Sequence, residues 1–264
     1  LFRSELIEAR AQGGRRTGLA GHFPAHRLRH DFLRQHVVQV EAGGAEGAAV
    51  DAGRVQGVTL TDGERLRADV VVSNADAHRT FQNLIDPRHL SRRTVDRIKR
   101  FRRPHSIFSM YLGADIDLSL TRPATNFVLH DRYDIQTTYD LLDRGQWDPK
   151  GWLAISSPTL KTGGIRHYGP AGYSAIEMFT AVPAEYDFWG GGDPMAGTGY
   201  KWSSVYRERK AEIEGVLLER TLRALPELRG HVVWQESATP LTHERFTLSR
   251  MPYGPENAKD QIGP

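Results

Sequence analysis

The chain has 264 residues, a formal net charge of +3 and no cysteine. That length can bury a full core, and the missing cysteines exclude disulfides, thiolate metal sites and a Cys nucleophile while fitting a reducing cytoplasm. The small net charge argues against nucleic acid as the partner, and no apolar run approaches the ~18 residues of a membrane span.

Residues 1–36 are rich in Arg and His, with scattered Gly. A short helix is expected at 27–36. His22, His26 and His30 recur every four residues, but Pro24 opposes the helix that would align them, and the tract reads as solvated and basic. "HVVQVE" at 36–41 predicts a strand, and "AGGAEGAAVDAG" at 42–53 predicts a loop of small residues. "RVQGVTLTDGERLRADVVVS" at 54–73 reads as a hairpin turning at Asp62-Gly63, its second strand running on through a buried Val70–Val72. Asn74 and Asp76 then suit a turn or cap before a short helix, "AHRTFQNLI".

A second helix is expected at 91–101. Residues 105–115 form a strong strand, with Phe108, Met110 and Leu112 on one face and Ile107 and Tyr111 on the other. Further strands are expected at 126–130, 151–160, 172–184 and 231–240. Residues 190–199 read as a flexible loop and 201–225 as the longest helix, with Ile213, Val216, Leu217 and Leu225 near helical spacing. This order predicts an α/β (α+β) chain of two parts.

Several stretches offer chemistry. Ala42, Gly44 and Gly47 give A-x-G-x-x-G after a strand, but no helix has room to follow, so a dinucleotide fingerprint is not expected there. Asp115 and Asp117 have the spacing of a divalent-metal pair, yet Asp after a strand commonly makes a turn, and no metal site is expected. Glu177 lies on an apolar-leaning strand, as a general base or as half of an ion pair. Phe108, Tyr111, Phe127, Trp152, Tyr173 and Phe179 all fall on expected strands. They either fill a core or line an elongated apolar pocket.

Taken together, "GRVQGVTLTDGERLRADVVVSNADAHRTFQNLI" (53–85), "SIFSMYLGAD" (106–115), "LAISSPTL" (153–160), "GPAGYSAIEMFTAVP" (169–183) and "ATPLTHERFTLSRMPYG" (238–254) resemble, in order and spacing, the phytoene desaturase-like FAD-dependent oxidoreductases. That group includes carotenoid desaturases, carotenoid isomerases and retinol saturases. The resemblance covers residues 36–264. It implies a partial, Rossmann-like FAD/NAD(P)-binding domain of the glutathione-reductase type at 1–82, a mixed-sheet substrate domain at 83–246, and a return to the first domain at 247–264. It implies FAD as cofactor, bordered by Val37, Val40, Asn74, Ala75 and Asp76, with the helix start after Asp76 favouring phosphate. The same likeness implies an oxidoreductase of carotenoid biosynthesis with a hydrophobic, isoprenoid substrate.

Glu244 and Arg245 in "THERF" are the candidates for placing charge near the flavin or tunnel, or form a structural ion pair. The family's Gly fingerprint and its closing Gly-rich segment are not present in these residues, so the chain reads as a fragment that does not hold FAD tightly by itself. A cytoplasmic location with peripheral membrane contact is expected. The rival readings are an isoprenoid carrier or escort without redox activity, an amine-oxidase-type flavoenzyme, and an inactive truncated product.

Overall fold

A computed structural model of the chain describes residues 37–40, 45–162, 169–249, 253–256 and 261. The histidine tract and the helix expected at 27–36 lie outside the described residues. The chain divides into two compact units, Leu1–Arg103 with Thr247–Pro264, and Pro104–Phe246. The domain boundary expected at 82/83 falls inside the first of these.

In the first unit, β1 (Val37–Val40) pairs in parallel with β5 (Val70–Ser73), in the register Val37 to Val70 through Val40 to Ser73. Between them in sequence lies an antiparallel meander of β2 (Ala45–Asp51), β3 (Arg54–Leu60) and β4 (Arg65–Arg67).

Two expectations are corrected here. The stretch 42–53, read as a loop, carries strand β2. Its small residues have weak strand preference, but the turn at Ala52 and Gly53, both at positive φ, folds it back on β3. The hairpin expected at 54–73 forms between β3 and β4, but its second strand does not run on unbroken: it stops at Ala68 and Asp69, and β5 beyond the break belongs to a different sheet. Ala68 is buried there, its N–H donating to the Gln56 carbonyl at 3.0 Å.

A third correction concerns Val70–Val72. Val70 and Val72 are 52 and 54% exposed. A parallel strand is normally covered on both faces, and among the described residues β5 has one partner strand only.

Beyond β5, Asp76 caps α1 (Ala77–Arg79) by accepting the N–H groups of His78 and Arg79. A π-turn at Thr80–Leu84 continues it. Ser91 caps α2 (Arg92–Lys99), and the His78 ring bonds the Ile98 carbonyl at 2.7 Å, tying α1 to α2.

The second unit is built on a five-stranded antiparallel sheet, in the order β10-β6-β9-β8-β7. Along the chain these are β6 (Ser106–Ala114), β7 (Phe127–Leu129), β8 (Leu153–Ser156), β9 (Ser174–Val182) and β10 (Val232–Ala238). The helices are α3 (Gln136–Asp143), α4 (Pro158–Lys161), α5 (Ser204–Ala224) and α6 (Pro240–Thr247). Period-two alternation sorts β6 and β9. Phe108, Met110, Leu112, Ile176, Met178 and Val182 all point into one core. Ile213 and Leu217 of α5 complete it, with the Thr221 hydroxyl 2.8 Å from the Met178 sulfur.

Candidate functional site

Candidate residues occur in both units. In the first unit, the parallel register places Val40 beside Ser73, so Asn74, Ala75 and Asp76 follow at the carboxyl end of the paired strands. Ligands of open α/β sheets collect at such ends. Asn74 is exposed, and Ala75 and Asp76 are half-buried. Small and polar side chains there leave room for a flat ring.

The helix start expected to favour phosphate does not offer that. Asp76 occupies it: one carboxylate oxygen accepts the His78 N–H at 2.8 Å and the Arg79 N–H at 3.2 Å, and the other accepts the Ser249 hydroxyl at 2.7 Å. A carboxylate fixed over those donors repels a diphosphate. The described tip therefore fits the flat, uncharged portion of a dinucleotide and does not fit its diphosphate.

In the second unit, the face of the sheet turned away from the core carries a row in register. Glu236 of β10 stands beside Tyr111 of β6, then Glu177 of β9, then Ser156 of β8. One residue pair along, Ser109 sits beside Phe179, which faces Ala154. Trp152, at the head of β8, meets Phe179 edge-on at 6.2 Å.

Ser109 joins this face to α6, its hydroxyl lying 3.3 Å from His243 Nε2, and it also hydrogen-bonds the Tyr111 phenol. Burial pushes Tyr111 above its ordinary value of 10. The Ser109 hydrogen bond opposes that, and the Glu177 and Glu236 carboxylates reinforce it. Burial lowers His243 below its ordinary 6.5, so the imidazole favours its neutral form. A phenol, a hydroxyl and a neutral imidazole in series can accept or pass a proton without any of them being ionised at rest.

The six aromatics singled out in the sequence are divided by the sheet. Phe108 is fully buried and stacks on Trp189 at 6.3 Å, and Phe127 packs against the same core. Tyr111, Trp152 and Phe179 lie on the opposite face, while Tyr173 stands just before β9, 39% exposed. Glu177 is on an inner strand and neighbours Tyr111. Of the acids in "ADID", Asp115 binds His231 Nδ1 at 2.9 Å and Asp117 caps the turn Leu118–Leu120.

Glu244 is buried, both its oxygens accepting from the Tyr186 hydroxyl at 2.7 and 2.8 Å. Arg245 is half-buried, one of its guanidinium nitrogens fully so. The sequence reading missed Ser109, His243 and Glu236. The alternation that placed Tyr111 also places Ser109 on its face; α6, which supplies His243, opens at Pro240 with the Thr239 hydroxyl accepting the Thr242 N–H, a helix start that the strand reading of 231–240 ran through.

No family model matches the chain. It is 25% identical over 209 residues to the chloroplastic prolycopene isomerase of Arabidopsis thaliana, covering 78% of this chain and 31% of that protein. It is 27% identical over 178 residues to the neurosporene-forming phytoene desaturase of Rhodobacter capsulatus, covering 66% and 31%. The chain is similar to the carotenoid isomerase and desaturase family. It spans about a third of the length of those relatives. Among solved structures, an oxidoreductase from Methanosarcina mazei aligns with a TM-score of 0.41 at 15% identity, over 75% of this chain and 37% of that one.

Proposed function

We propose that this chain is part of an FAD-dependent oxidoreductase acting on carbon–carbon bonds of a hydrophobic, carotenoid-like isoprenoid. The observation that carries the reading is the parallel register of β1 and β5, which sets Val40 beside Ser73 at the sheet end that leads into Asn74–Asp76. Val37, Val40 and Asn74–Asp76 are the residues that the family resemblance assigns to the flavin. The similarity to prolycopene isomerase and phytoene desaturase supports the substrate class.

When bound, FAD supplies the hydride chemistry. The chain's own residues do the rest. Asn74 and Ala75 border the flat ring and set its approach. Trp152 and Phe179 give an apolar, aromatic surface suited to a polyene. Tyr111, backed by Ser109 and His243, holds a proton at its phenolic oxygen. Burial, reinforced by Glu177 and Glu236 on either side, favours the protonated phenol. Glu244 holds Tyr186 and thereby orients α6.

The test is binding of FAD and of a lycopene isomer, each measured with the protein containing this chain. FAD retained at stoichiometric amount by the wild type and lost in Ala75→Trp supports the assignment. Unchanged FAD content in that variant refutes it. The carboxylate at the α1 start favours one rival reading, an isoprenoid carrier, since it opposes a diphosphate. Polyene binding that persists with no FAD bound at all would establish the carrier instead.

A further inference from the structure

Arg245 is the charged group of α6 that the redox reading leaves unused. Its neighbour Glu244 is spent on the Tyr186 hydroxyl, and among the described residues no carboxylate pairs with Arg245. The guanidinium nevertheless has a fully buried Nη1 with no acceptor among them. Taking a cationic donor out of water without a partner is costly.

A second buried donor lies close by. Tyr200, in the turn Gly199–Trp202, is 5% exposed, and its hydroxyl is buried with no hydrogen-bond partner among the described residues. Its ring meets the Tyr206 ring edge-on at 5.1 Å. The Tyr206 hydroxyl lies 3.1 Å from the Thr239 hydroxyl and 3.4 Å from that of Thr242. Thr242 and Arg245 are three residues apart on α6 and share one face of it. These contacts turn Arg245 and Tyr200 toward one place, between α6 and the turn before α5. Burial pushes the Tyr200 phenol above its ordinary value of 10; Thr242 opposes that, Tyr206 adds to it, and the Arg245 charge, felt at the phenol, opposes it again. Thr242 is near Tyr200, but its hydroxyl is shared between Tyr206 and Thr239, 3.3 Å away, and completes no hydrogen bond to the Tyr200 phenol. The Lys201 ammonium, 6.0 Å from the centre of the Tyr200 ring, adds positive potential.

We infer that Arg245 and Tyr200 form a binding site for a small organic carboxylate, whose oxygens accept from the guanidinium Nη1 and from the phenolic hydroxyl. A water would satisfy the phenol and leave the cation unbalanced. A carboxylate satisfies both, because its planar pair of oxygens matches directional donors and its single charge matches one guanidinium. Arg245 as a whole is only half-buried, so the site is reached from solvent. It lies within the second unit, and the inference is independent of the flavin reading.

Titration of the protein containing this chain with butyrate tests it, with thermal unfolding as the readout and chloride at equal ionic strength as the control. Butyrate raises the unfolding temperature saturably, and chloride does not. Tyr200→Phe, which removes one hydroxyl and keeps the ring, weakens butyrate binding about tenfold. Arg245→Met abolishes it. Without butyrate, Arg245→Met raises the urea midpoint, since it removes a charge that the chain leaves unpaired. A lowered midpoint would show the guanidinium already balanced and would overturn the inference. An equal rise with chloride, or butyrate binding unchanged in both variants, overturns it as well. So does a wild type that ignores butyrate, which would assign the two donors to bound water or to a carboxylate elsewhere in the longer protein.

Discussion

Replacing Glu227 by Gln tests how the second unit is held together. Glu227 lies in the turn Pro226–Leu228 at the end of α5, and Arg122 just after the turn Leu118–Leu120 that follows β6. The guanidinium grips both carboxylate oxygens, Nη2 to Oε2 at 2.8 Å, and Thr121 adds a third bond at 3.4 Å. Leu118 and Leu228, beside the two partners, are both buried in the core, so the clamp fastens two segments that the core already brings together.

The Arg122 hydrogen bonds hold the Glu227 carboxyl at about 2, against an ordinary 4.5. That difference sets a ceiling of about 3 kcal/mol. Both side chains still reach water, Glu227 at 17% and Arg122 at 28% exposure, so screening reduces the expected contribution to about 1–2 kcal/mol. Because the folded-state value is depressed, the stabilisation is complete above pH 4.5 and disappears as pH falls through about 2. Urea unfolding of wild type and Glu227→Gln, measured from pH 7 downward, should show the gap between them close across that window. A gap of equal size at neutral pH and at the bottom of the window would refute the argument.

Three further outcomes are expected. Asp148 is buried and receives Arg132, the Thr138 hydroxyl at 2.7 Å and the Lys150 N–H at 3.0 Å. Asp148→Ala should cost about 3 kcal/mol in chemical denaturation, and Arg132→Met in the same chain should recover part of it. At Gly57, φ is +144° and an added Cβ would sit 1.9 Å from the Leu66 carbonyl oxygen, so Gly57→Ala should cost more than about 2 kcal/mol and speed amide exchange along β3 and β4. His243 should titrate below 6.5 by NMR, and its buried neutral ring contributes stability that is complete above 6.5 and lost on acidification; His243→Asn should flatten that acid limb.

Strands β6, β8 and β9 were legible because they carry period-two alternation against one core. Phe108, Met110 and Leu112 sorted themselves by parity alone. The same parity does not say which face meets the helices, so the six aromatics could be located on strands but not divided between core and open face. Strand β2 was illegible for another reason. Its Ala and Gly residues have no side-chain pattern, and its register is set by β3 and by the turn at Ala52-Gly53. At Val70–Val72 the β-branched run announced a strand correctly but not its neighbours, because burial depends on what packs against it. Asp76 was legible as a turn or cap residue, but the Ser249 hydroxyl that holds its other oxygen comes from 173 residues along the chain and left no local signal.

The connection between β1 and β5 bears on how the first unit assembles. Parallel neighbours are usually bridged by a helix that forms quickly from local contacts. Here the bridge contains a three-stranded meander whose own hairpins turn at Ala52-Gly53 and at Asp62-Gly63. Once those hairpins zip, the span that must be closed to bring Val37 beside Val70 is much shorter. The meander is therefore expected to form before the β1–β5 edge, and lesions in it, such as one at Gly57, should delay the appearance of the Asn74–Asp76 tip even when they lie far from it in sequence.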